Sequence, residues 1–347
     1  MKAGVQFRMP AEWEPHEATW LAWPHKKESW PGIFERIPPI WRAMVRALRE
    51  SEEVRILVID SGMEQDVLRT LDGDLGGVKL FRVPTDDAWI RDYGPIFVRP
   101  ASDSARIAVT GWGYNAWGGK YAPWDFDQAV ASKLGEILGL PVIKPGMILE
   151  GGSIDVDGQG TLLTTEGCLL HPNRNPHLGK AEIETRLEAC LGAEKVLWLG
   201  QGIVGDDTDG HVDDLTRFVA PGKVVTAVEE NPEDENYIPL HENLERLSGM
   251  EDARGRRLVV VPLPMPTPVF HDDVRCPASY ANFLIANTVV LVPTFRSARD
   301  EEALGILRSL FPSRRVVGID CYDLVWGLGG IHCVTHEQPA PLEAAGP

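Results

Sequence analysis

The sequence predicts an α/β fold in which five similar units pack around a common axis. Short apolar segments rich in valine, leucine and threonine alternate irregularly with segments whose apolar residues recur at helical spacing. Five times, a polar or glycine-rich stretch leads into such an apolar segment. This gives one landmark residue per unit: Asp92, Glu150, His211, Asn282 and Cys333. The shortest gap between landmarks is 51 residues, from 282 to 333, and the longest is 71, from 211 to 282.

Units of this size suggest a repeat architecture, because each is too small to bury its own apolar face and packing them together would form one core. The same packing would bring the landmark residues together. The alternative is an ordinary two-domain α/β fold, because the units share little literal sequence and 347 residues suffice for one large domain or two closely packed ones.

The individual elements follow from apolar periodicity and from the Gly, Pro, Asp and Asn residues that bound them. The predicted helices are residues 33–50, 126–139, 181–192 and 301–311. The predicted strands are VRILVI, ARIAVTGW, TLLTT, KVLWL, LTRFVA, KVVTAV, RLVVVPL and ANTVVLVPTF. The proline-rich stretch VPLPMPTPVF, residues 261–270, is too short and too apolar for a flexible linker, so we expect an extended segment at the rim.

Composition narrows the class of partner. Acidic residues outnumber basic ones 51 to 34, and the formal net charge is −17. The negative electrostatic field of such a protein repels nucleic acid and anionic membranes and attracts cationic ligands. A need for solubility alone would also explain the excess of acidic residues. No apolar run reaches the roughly 18 residues of a membrane helix, and the first residues lack an apolar signal segment. We therefore expect a cytoplasmic protein.

The five cysteines are Cys168, Cys190, Cys276, Cys321 and Cys333. They are odd in number, widely spaced and without a CxxC pair, so neither a disulfide framework nor a zinc site is expected. We expect no metal and no cofactor. Apart from Cys333, the cysteines are expected to be core or surface residues.

If the landmarks converge, a thiol, an imidazole and several carboxylates meet at one place. Cys333 would be the nucleophile and His211 the proton carrier, since a thiolate works best beside a group that exchanges protons with it. Asp92, Glu150 and Asp213 would raise the pKa of that thiol by like-charge repulsion. The missing positive charge should come from the substrate, and a planar guanidinium is the natural partner of paired carboxylates.

Each of these residues also has a plainer interpretation. His211 and Asp213 are two residues apart and in a strand would project to the same face, but an isolated pair of this kind can be a polar surface strand. The run GDDTDGHVDD, residues 205–214, could be a calcium loop, although it does not fit the EF-hand spacing. Cys333 could be a buried structural thiol. By strand alternation, His332 should face away from Cys333, so we do not expect it to be the base.

A tryptophan- and glycine-rich segment, GWGYNAWGGKYAPWDFD at residues 111–127, could cover the site. Glycines give mobility, and tryptophans supply apolar walls whose faces attract cations. One interpretation is a lid built on Trp112, Trp117 and the two glycines that follow, which makes Trp117 a candidate substrate-binding residue. The other is a glycine-rich turn with buried aromatic residues. Trp89 is expected to form a further wall of the pocket.

Together these stretches resemble the bacterial-type peptidylarginine deiminase and agmatine deiminase family of guanidino-group-modifying enzymes. The matching pieces are MPAEWEPHEATWLAWP, DDAWIRDYGPIFV, GWGYNAWGG, EGGSIDVDGQGTLLTTEGCLL, HPNRNPH, DGHVDD and GIHCVTHEQP. They run in order from about residue 9 to residue 339. The resemblance therefore implies a single catalytic domain over residues 1–347 with its core in that span.

The resemblance also implies a five-bladed α/β propeller, the pentein fold, and metal-free hydrolysis of a guanidine to a ureido group and ammonia. By position it implies that Cys333 is the nucleophile and His211 the general acid and base. It implies that Asp92 and Asp213 clamp the guanidinium. Glu150 would assist the clamp or orient the imidazole, and Trp89 would form a wall of the pocket.

The chain departs from the agmatine deiminase pattern at Gly330, where that pattern has an asparagine, and at His336 and Glu337, where it has a glutamine-rich tail. The identity of the substrate is therefore open. Agmatine, converted to N-carbamoylputrescine in putrescine biosynthesis, is the leading expectation. The alternatives are a deiminase of peptidylarginine or of another guanidine, an amidinotransferase-like enzyme, and a guanidine-binding protein without catalysis. The expected partner is a small cationic guanidine, and a homo-oligomer is left open.

Overall fold

The structure is a computed structural model that describes residues 7–101 and 106–342. The predicted domain limits at residues 1 and 347 lie outside the described residues. The strands are β1 (Phe7–Arg8), β2 (His16–Ala22), β3 (Glu53–Val58), β4 (Val78–Arg82), β5 (Ile96–Pro100), β6 (Ala108–Thr110), β7 (Val142–Ile143), β8 (Asp155–Val156), β9 (Thr161–Thr165), β10 (Lys195–Leu199), β11 (Thr216–Ala220), β12 (Lys223–Val228), β13 (Val259–Pro264), β14 (Phe270–His271), β15 (Val274–Arg275), β16 (Leu284–Ile285), β17 (Val289–Thr294), β18 (Arg315–Asp320) and β19 (Thr335–Pro339).

The helices, some of a single turn, lie mainly between these strands. They are α1 (Pro38–Leu48), α2 (Ser61–Thr70), α3 (Ile90–Tyr93), α4 (Ala116–Gly119), α5 (Asp125–Leu138), α6 (Glu166–Leu169), α7 (Lys180–Leu191), α8 (Tyr237–Ser248) and α9 (Asp300–Leu310). Over residues 7–101 and 106–342, no helix is long and apolar enough to cross a membrane.

The strands form five small mixed sheets of one topology, plus the hairpin β14-β15. In each sheet a first strand pairs antiparallel with a second, and the second pairs parallel with a third. These triplets are β19-β2-β3, β5-β6-β7, β8-β9-β10, β11-β12-β13 and β16-β17-β18, and β4 and β1 extend the first two. The α/β prediction is confirmed, and the five units inferred from the sequence correspond to these five sheets.

Each parallel pair needs a crossover, and each crossover contains a helix. The crossover helices are α1, α2, α5, α7, α8 and α9. Proline and glycine residues account for several ends of these helices. Pro38 stands at the first position of α1, where a missing N–H costs nothing, and Gly139 and Gly192 end α5 and α7 in the left-handed conformation.

The landmark residues occupy equivalent places in the five sheets. Each lies a few residues before the first strand of its triplet: Asp92 before β5, Glu150 before β8, His211 before β11, Asn282 before β16 and Cys333 before β19. The polar side chains of the five units therefore collect at the entry ends of these strands.

Two local predictions were wrong. Residues 212–214 form a 3-10 turn rather than a strand, so His211 and Asp213 do not share a face by strand alternation. Residues 331–334 also form a turn, because β19 begins only at Thr335. The proline-rich segment is in part a paired strand, since Val259–Pro264 runs parallel to β12.

Candidate active site

A cavity of about 510 Å³ opens beside Cys333. Trp89, Asp92 and Trp117 line it together with Cys333, as the sequence led us to expect. Gly329 is required next to the thiol, because a Cβ there would lie 2.5 Å from the Trp89 ring. A cavity of this size fits a small-molecule site.

His211, Asp92 and Asp213 converge on Gly152. A Cβ at position 152 would lie 2.6 Å from His211 Nδ1, 2.9 Å from Asp92 Oδ1 and 3.0 Å from Asp213 Oδ2. Only glycine leaves room for all three groups. The structure thus brings together an imidazole and two carboxylates that lie up to 121 positions apart, at 92 and 213.

The two aspartates differ in how they are held. Asp92 accepts hydrogen bonds from the Gly152 N–H at 3.0 Å and from Trp117 Nε1 at 2.9 Å. Burial and the nearby Glu150 carboxylate raise the pKa of Asp92 to about 7. Asp213 is fully buried, and its Oδ1 has no hydrogen-bond partner among the described residues. Burial and the Asp92 charge raise the pKa of Asp213 well above its ordinary value.

The Cys333 thiol is buried among these acids. Its Sγ accepts a hydrogen bond from Asn282 Nδ2 at 3.1 Å and lies 4.0 Å from Asp213 Oδ2. Burial raises the pKa of the thiol well above its ordinary value, and the charges of Asp213, Asp214 and Asp92 act in the same direction. These causes favour the protonated thiol at neutral pH.

Glu150 is held by an arginine that the sequence interpretation did not assign. Arg174 Nε donates to Glu150 Oε1 at 2.6 Å, and Arg174 Nη1 donates to Asp209 Oδ2 at 2.6 Å. Arg174 lies in the family-like stretch HPNRNPH, and its place in that motif is the one sequence signal that points to it. Burial and this guanidinium hold the pKa of His211 well below its ordinary value, so the imidazole is neutral.

His332 connects the site to a second acidic group. Its Nδ1 lies 2.7 Å from Asp213 Oδ2 and its Nε2 lies 2.8 Å from Glu12 Oε2. Glu12 in turn accepts from Arg217 Nη2 at 2.7 Å. The expectation that His332 is not the base of the neighbouring thiol rested on strand alternation, and that premise was wrong because residues 331–334 form a turn. The ring instead holds one oxygen of Asp213.

The predicted lid is only partly at the cavity. Trp117 has φ 54° and ψ 44°, a conformation costly for a residue other than glycine, and its indole N–H reaches Asp92. Lys120 Nζ donates to Asp209 Oδ1 at 2.9 Å and ties the end of this segment to the neighbouring loop. Trp112, in contrast, does not line the cavity. It packs in a separate apolar cluster, and its Nε1 donates to Thr110.

The aspartates of residues 205–214 have separate partners rather than one common centre. Asp206 accepts from the Thr208 and His211 N–H groups, whereas Asp207 lines the cavity and accepts from the Tyr121 hydroxyl. Because most of these oxygens already accept hydrogen bonds from protein donors, the loop does not offer a shared calcium cage.

Cys168 contributes to a buried group with Glu150 and His211, whose possible ligand atoms lie within 4.8 Å of one another. The guanidinium of Arg174 already supplies a cation at Glu150. All five cysteines are buried and free, in keeping with the expectation for the four that are not Cys333.

Comparison with known structures identifies the class. The fold matches an agmatine deiminase of Enterococcus faecalis with a TM-score of 0.91 at 36% identity, covering 98% of this chain and 99% of that one. An agmatine deiminase from C. jejuni with substrate bound matches with a TM-score of 0.90 at 32% identity, covering 99% of both chains. An amidinotransferase from Microseira wollei, at 13% identity and a TM-score of 0.52, shares the fold alone.

Sequence comparison identifies the family. The agmatine deiminases of Pseudomonas aeruginosa and Pseudomonas syringae are each 39% identical to this chain, and each alignment covers 97% of both proteins. Residues 8–339 match the sequence profile of the Porphyromonas-type peptidyl-arginine deiminases. The chain belongs to the Porphyromonas-type peptidyl-arginine deiminase family, and the resemblance seen in its motifs is confirmed.

Proposed function

We propose that the protein is an agmatine deiminase, which hydrolyses agmatine to N-carbamoylputrescine and ammonia. The observation that carries this proposal is the meeting of a buried thiol, Cys333, with two carboxylates: Asp92 lines the same cavity as the thiol, and Asp213 Oδ2 lies 4.0 Å from the Cys333 sulfur. A guanidinium held by the two aspartates would place its central carbon beside the sulfur. Relatives at 36% to 39% identity that are named agmatine deiminases support the same substrate.

The first half of the reaction uses the substrate's charge to activate the thiol. Neutral His211 takes the proton of Cys333, and the guanidinium stabilises the resulting thiolate. The sulfur forms a bond to the guanidinium carbon, and His211 returns the proton to the departing nitrogen as the C–N bond breaks. Ammonia leaves, and an S-alkylthiouronium group remains on Cys333.

The second half regenerates the enzyme. His211, neutral again, removes a proton from a water molecule that attacks the thiouronium carbon. The C–S bond breaks, the proton held by His211 returns to Cys333, and the hydroxyl group gained from water loses its remaining proton to solvent, so that a neutral ureido group leaves. In this scheme Glu150, fixed by Arg174, assists the clamp or orients His211, and the Trp89 and Trp117 rings form the walls around the cation.

The charges on the cavity wall support agmatine over arginine. Besides Asp92, the lining includes the carboxylates Glu28, Asp87, Asp207 and Asp272, against the single ammonium of Lys26. That ammonium lies 3.5 Å from Asp87 and is thereby partly neutralised. A second positive charge at the far end of the substrate would be attracted, whereas an α-carboxylate would be repelled.

Arg91, which directly precedes Asp92, is not free to receive an α-carboxylate in the cavity. Arg91 does not line the cavity, and it donates to Glu337 Oε2 at 2.7 Å and to the His332 carbonyl at 3.1 Å. Free arginine would therefore find little compensation for its carboxylate, which favours a substrate without that group.

The five like sheets support the finer fold proposal, a five-bladed α/β propeller that forms a single catalytic domain. The C-terminal strand β19 pairs with β2 near the N-terminus, and β1 pairs with β5, so the chain ends are tied into two different sheets. The entry ends of the five first strands supply the residues of one site, as an arrangement around a common axis requires.

A reducing, cytoplasmic location suits five unpaired cysteines. The net charge of −17 favours a small cationic guanidine as partner and disfavours nucleic acid and anionic membranes. A homo-oligomer stays a prediction.

Product analysis tests the proposed activity. With agmatine as substrate, we expect ammonia and N-carbamoylputrescine in equal amounts. Cys333→Ser should lower turnover by about a thousandfold or more, since removal of a nucleophile costs several orders of magnitude. Cys190→Ser, a control at a buried cysteine in α7, should keep near-normal turnover. Formation of product by Cys333→Ser at more than about a thousandth of the normal rate would exclude this cysteine as the nucleophile.

A further inference from the structure

Asn282 is the landmark residue of the sheet β16-β17-β18, and the reaction described above gives it no role. It is buried, and its side-chain Nδ2 lies 3.1 Å from Cys333 Sγ, within hydrogen-bond distance for sulfur. It therefore places a side-chain donor on the proposed attacking atom itself.

The orientation of the Asn282 amide is fixed by its other partners. Its Oδ1 accepts the backbone N–H of His332 at 2.8 Å, and its Nδ2 lies 3.0 Å from Asp214 Oδ1. A rotated amide would set two oxygens against each other at Asp214 and two donors against each other at His332. The NH2 group therefore faces Asp214 with one hydrogen and the sulfur of Cys333 with the other.

We propose that Asn282 is a further catalytic residue, which donates a hydrogen bond to the Cys333 thiolate and favours its formation among the surrounding carboxylates. The proposal rests on Cys333 being the nucleophile of the proposed function. It concerns the ionisation of the free protein's thiol, which can be measured without any substrate.

The groups that face the sulfur show why such a donor matters. Asp213 and Asp214 approach from the turn before β11, and Asp92 approaches from α3, so each nearby charged group opposes a thiolate. The backbone N–H of Gly330 is a second donor to the sulfur and acts in favour of the thiolate. A hydrogen bond to a charged acceptor is stronger than one to a neutral acceptor, so a fixed N–H donor stabilises the thiolate more than the thiol.

Gly330 makes room for this amide. A Cβ at position 330 would lie 2.5 Å from Asn282 Oδ1 and 3.0 Å from its Cγ. A side chain at 330 would push the Asn282 amide away from its present position. Gly330→Ala therefore disturbs the proposed donor while leaving Asn282 itself in the chain.

The test is the pH dependence of Cys333 alkylation by iodoacetamide in the folded protein. After alkylation the protein is digested, and the label on the peptide that contains Cys333 is quantified by mass spectrometry. In Asn282→Ala we expect the apparent pKa of Cys333 to rise by about one unit or more, the shift that a lost hydrogen bond to a charged group would produce. Gly330→Ala should shift the pKa in the same direction. A packing role alone would change stability without moving this profile.

Asn243→Ala is the matched control. Asn243 is equally buried and also holds backbone groups, accepting from the Gly200 N–H at 2.7 Å and donating to the Gln201 carbonyl at 2.9 Å. Its alkylation profile should match that of the unmodified protein. If folded Asn282→Ala titrates like the unmodified protein, the proposal is overturned.

Should Asn282→Ala not fold, Gly330→Ala decides by the same profile, and an unshifted pKa there contradicts the proposal. Turnover of agmatine separates the two claims. A protein that shows the shift but releases no ammonia from agmatine would retain the role of Asn282 in ionising the thiol and refute the proposed function.

Discussion

At the scale of single residues, two buried aspartates of the site hold their protons more tightly than an exposed aspartate does. Asp92 and Asp213 both have raised pKa values, because burial disfavours their charged forms and a neighbouring carboxylate repels each of them, Glu150 in the case of Asp92 and Asp92 in the case of Asp213. A guanidinium bound between them would offset both causes, because its positive charge favours the ionised carboxylates. Binding should therefore release protons, and the free protein should bind substrate well only once its clamp is ionised.

The first prediction concerns the pH dependence of kcat/KM for agmatine, which reports ionisations of the free protein. Because Asp92 with a pKa of about 7 must lose its proton to clamp the guanidinium, kcat/KM should rise with pH up to at least about pH 7. In Asp92→Asn, kcat/KM for agmatine should be low at every pH, and the part of its rise that is due to this carboxylate should be lost. A kcat/KM that stays constant or falls between about pH 5.5 and pH 7 would contradict the proposed protonated clamp.

The acids, the imidazole and the thiol could be found from the sequence because their spacing and motifs mark them. The residues that hold these groups in position could not be found in this way. Arg174 reaches Glu150 across a separation of 24 residues, and His332 reaches Glu12 across 320. Such partners are chosen by tertiary packing, and no local pattern in the sequence encodes the pairing.

At the scale of elements, the segment around α4 stores backbone strain. Ala116 and Trp117 both have positive φ, 49° and 54°, which costs about 1 kcal/mol or more for each residue other than glycine. The Trp117 N–H bond to Asp92 and the Lys120 contacts at the next loop hold the segment in place. This strain is therefore maintained by contacts that also shape the cavity.

Two adjacent glycines allow a matched test of this segment. Both have positive φ, 91° at Gly118 and 82° at Gly119, but only a Cβ at Gly118 would overlap a neighbour, the side chain of Asn173. Gly118→Ala should displace Trp117 from Asp92 and raise KM for agmatine about fivefold to thirtyfold, the equivalent of one lost hydrogen bond of about 1 to 2 kcal/mol.

Gly119→Ala, the control, carries the same backbone penalty with nothing within 4 Å of the new Cβ. It should change KM much less than Gly118→Ala does. Equal effects of the two substitutions would mean that backbone strain, rather than the position of Trp117, controls substrate affinity.

Elements with clear periodicity were predictable, and those whose role depends on tertiary context were not. The predicted helices at 126–139 and 301–311 correspond to α5 and α9 within one residue at each end. Alternation predicts strands at residues 212–214 and 331–334 because it assumes an extended backbone, but the structure has turns there. At both places the chain instead bends at the entry to a sheet, where the polar groups collect.

At the scale of the whole molecule, five sheets of like topology place one polar entry segment each beside a common site. The sequence suggested this through five landmarks of similar spacing, although the units share few identical residues. Shared topology can survive such divergence, because each unit keeps only its buried strand pattern and its crossover helix. The overall charge of −17 agrees with a site that receives cations.

The central claim, that the cavity is built for a slim dicationic guanidine, is tested most directly by comparing kcat/KM for agmatine, L-arginine and a blocked arginine peptide under identical conditions. The acidic wall and the engaged Arg91 predict that agmatine exceeds both others by about a hundredfold or more, because like charges placed together cost several kcal/mol and a peptide backbone would bury polar groups without partners. If the blocked peptide instead has the highest kcat/KM, the agmatine proposal fails, and the protein is a peptidylarginine deiminase.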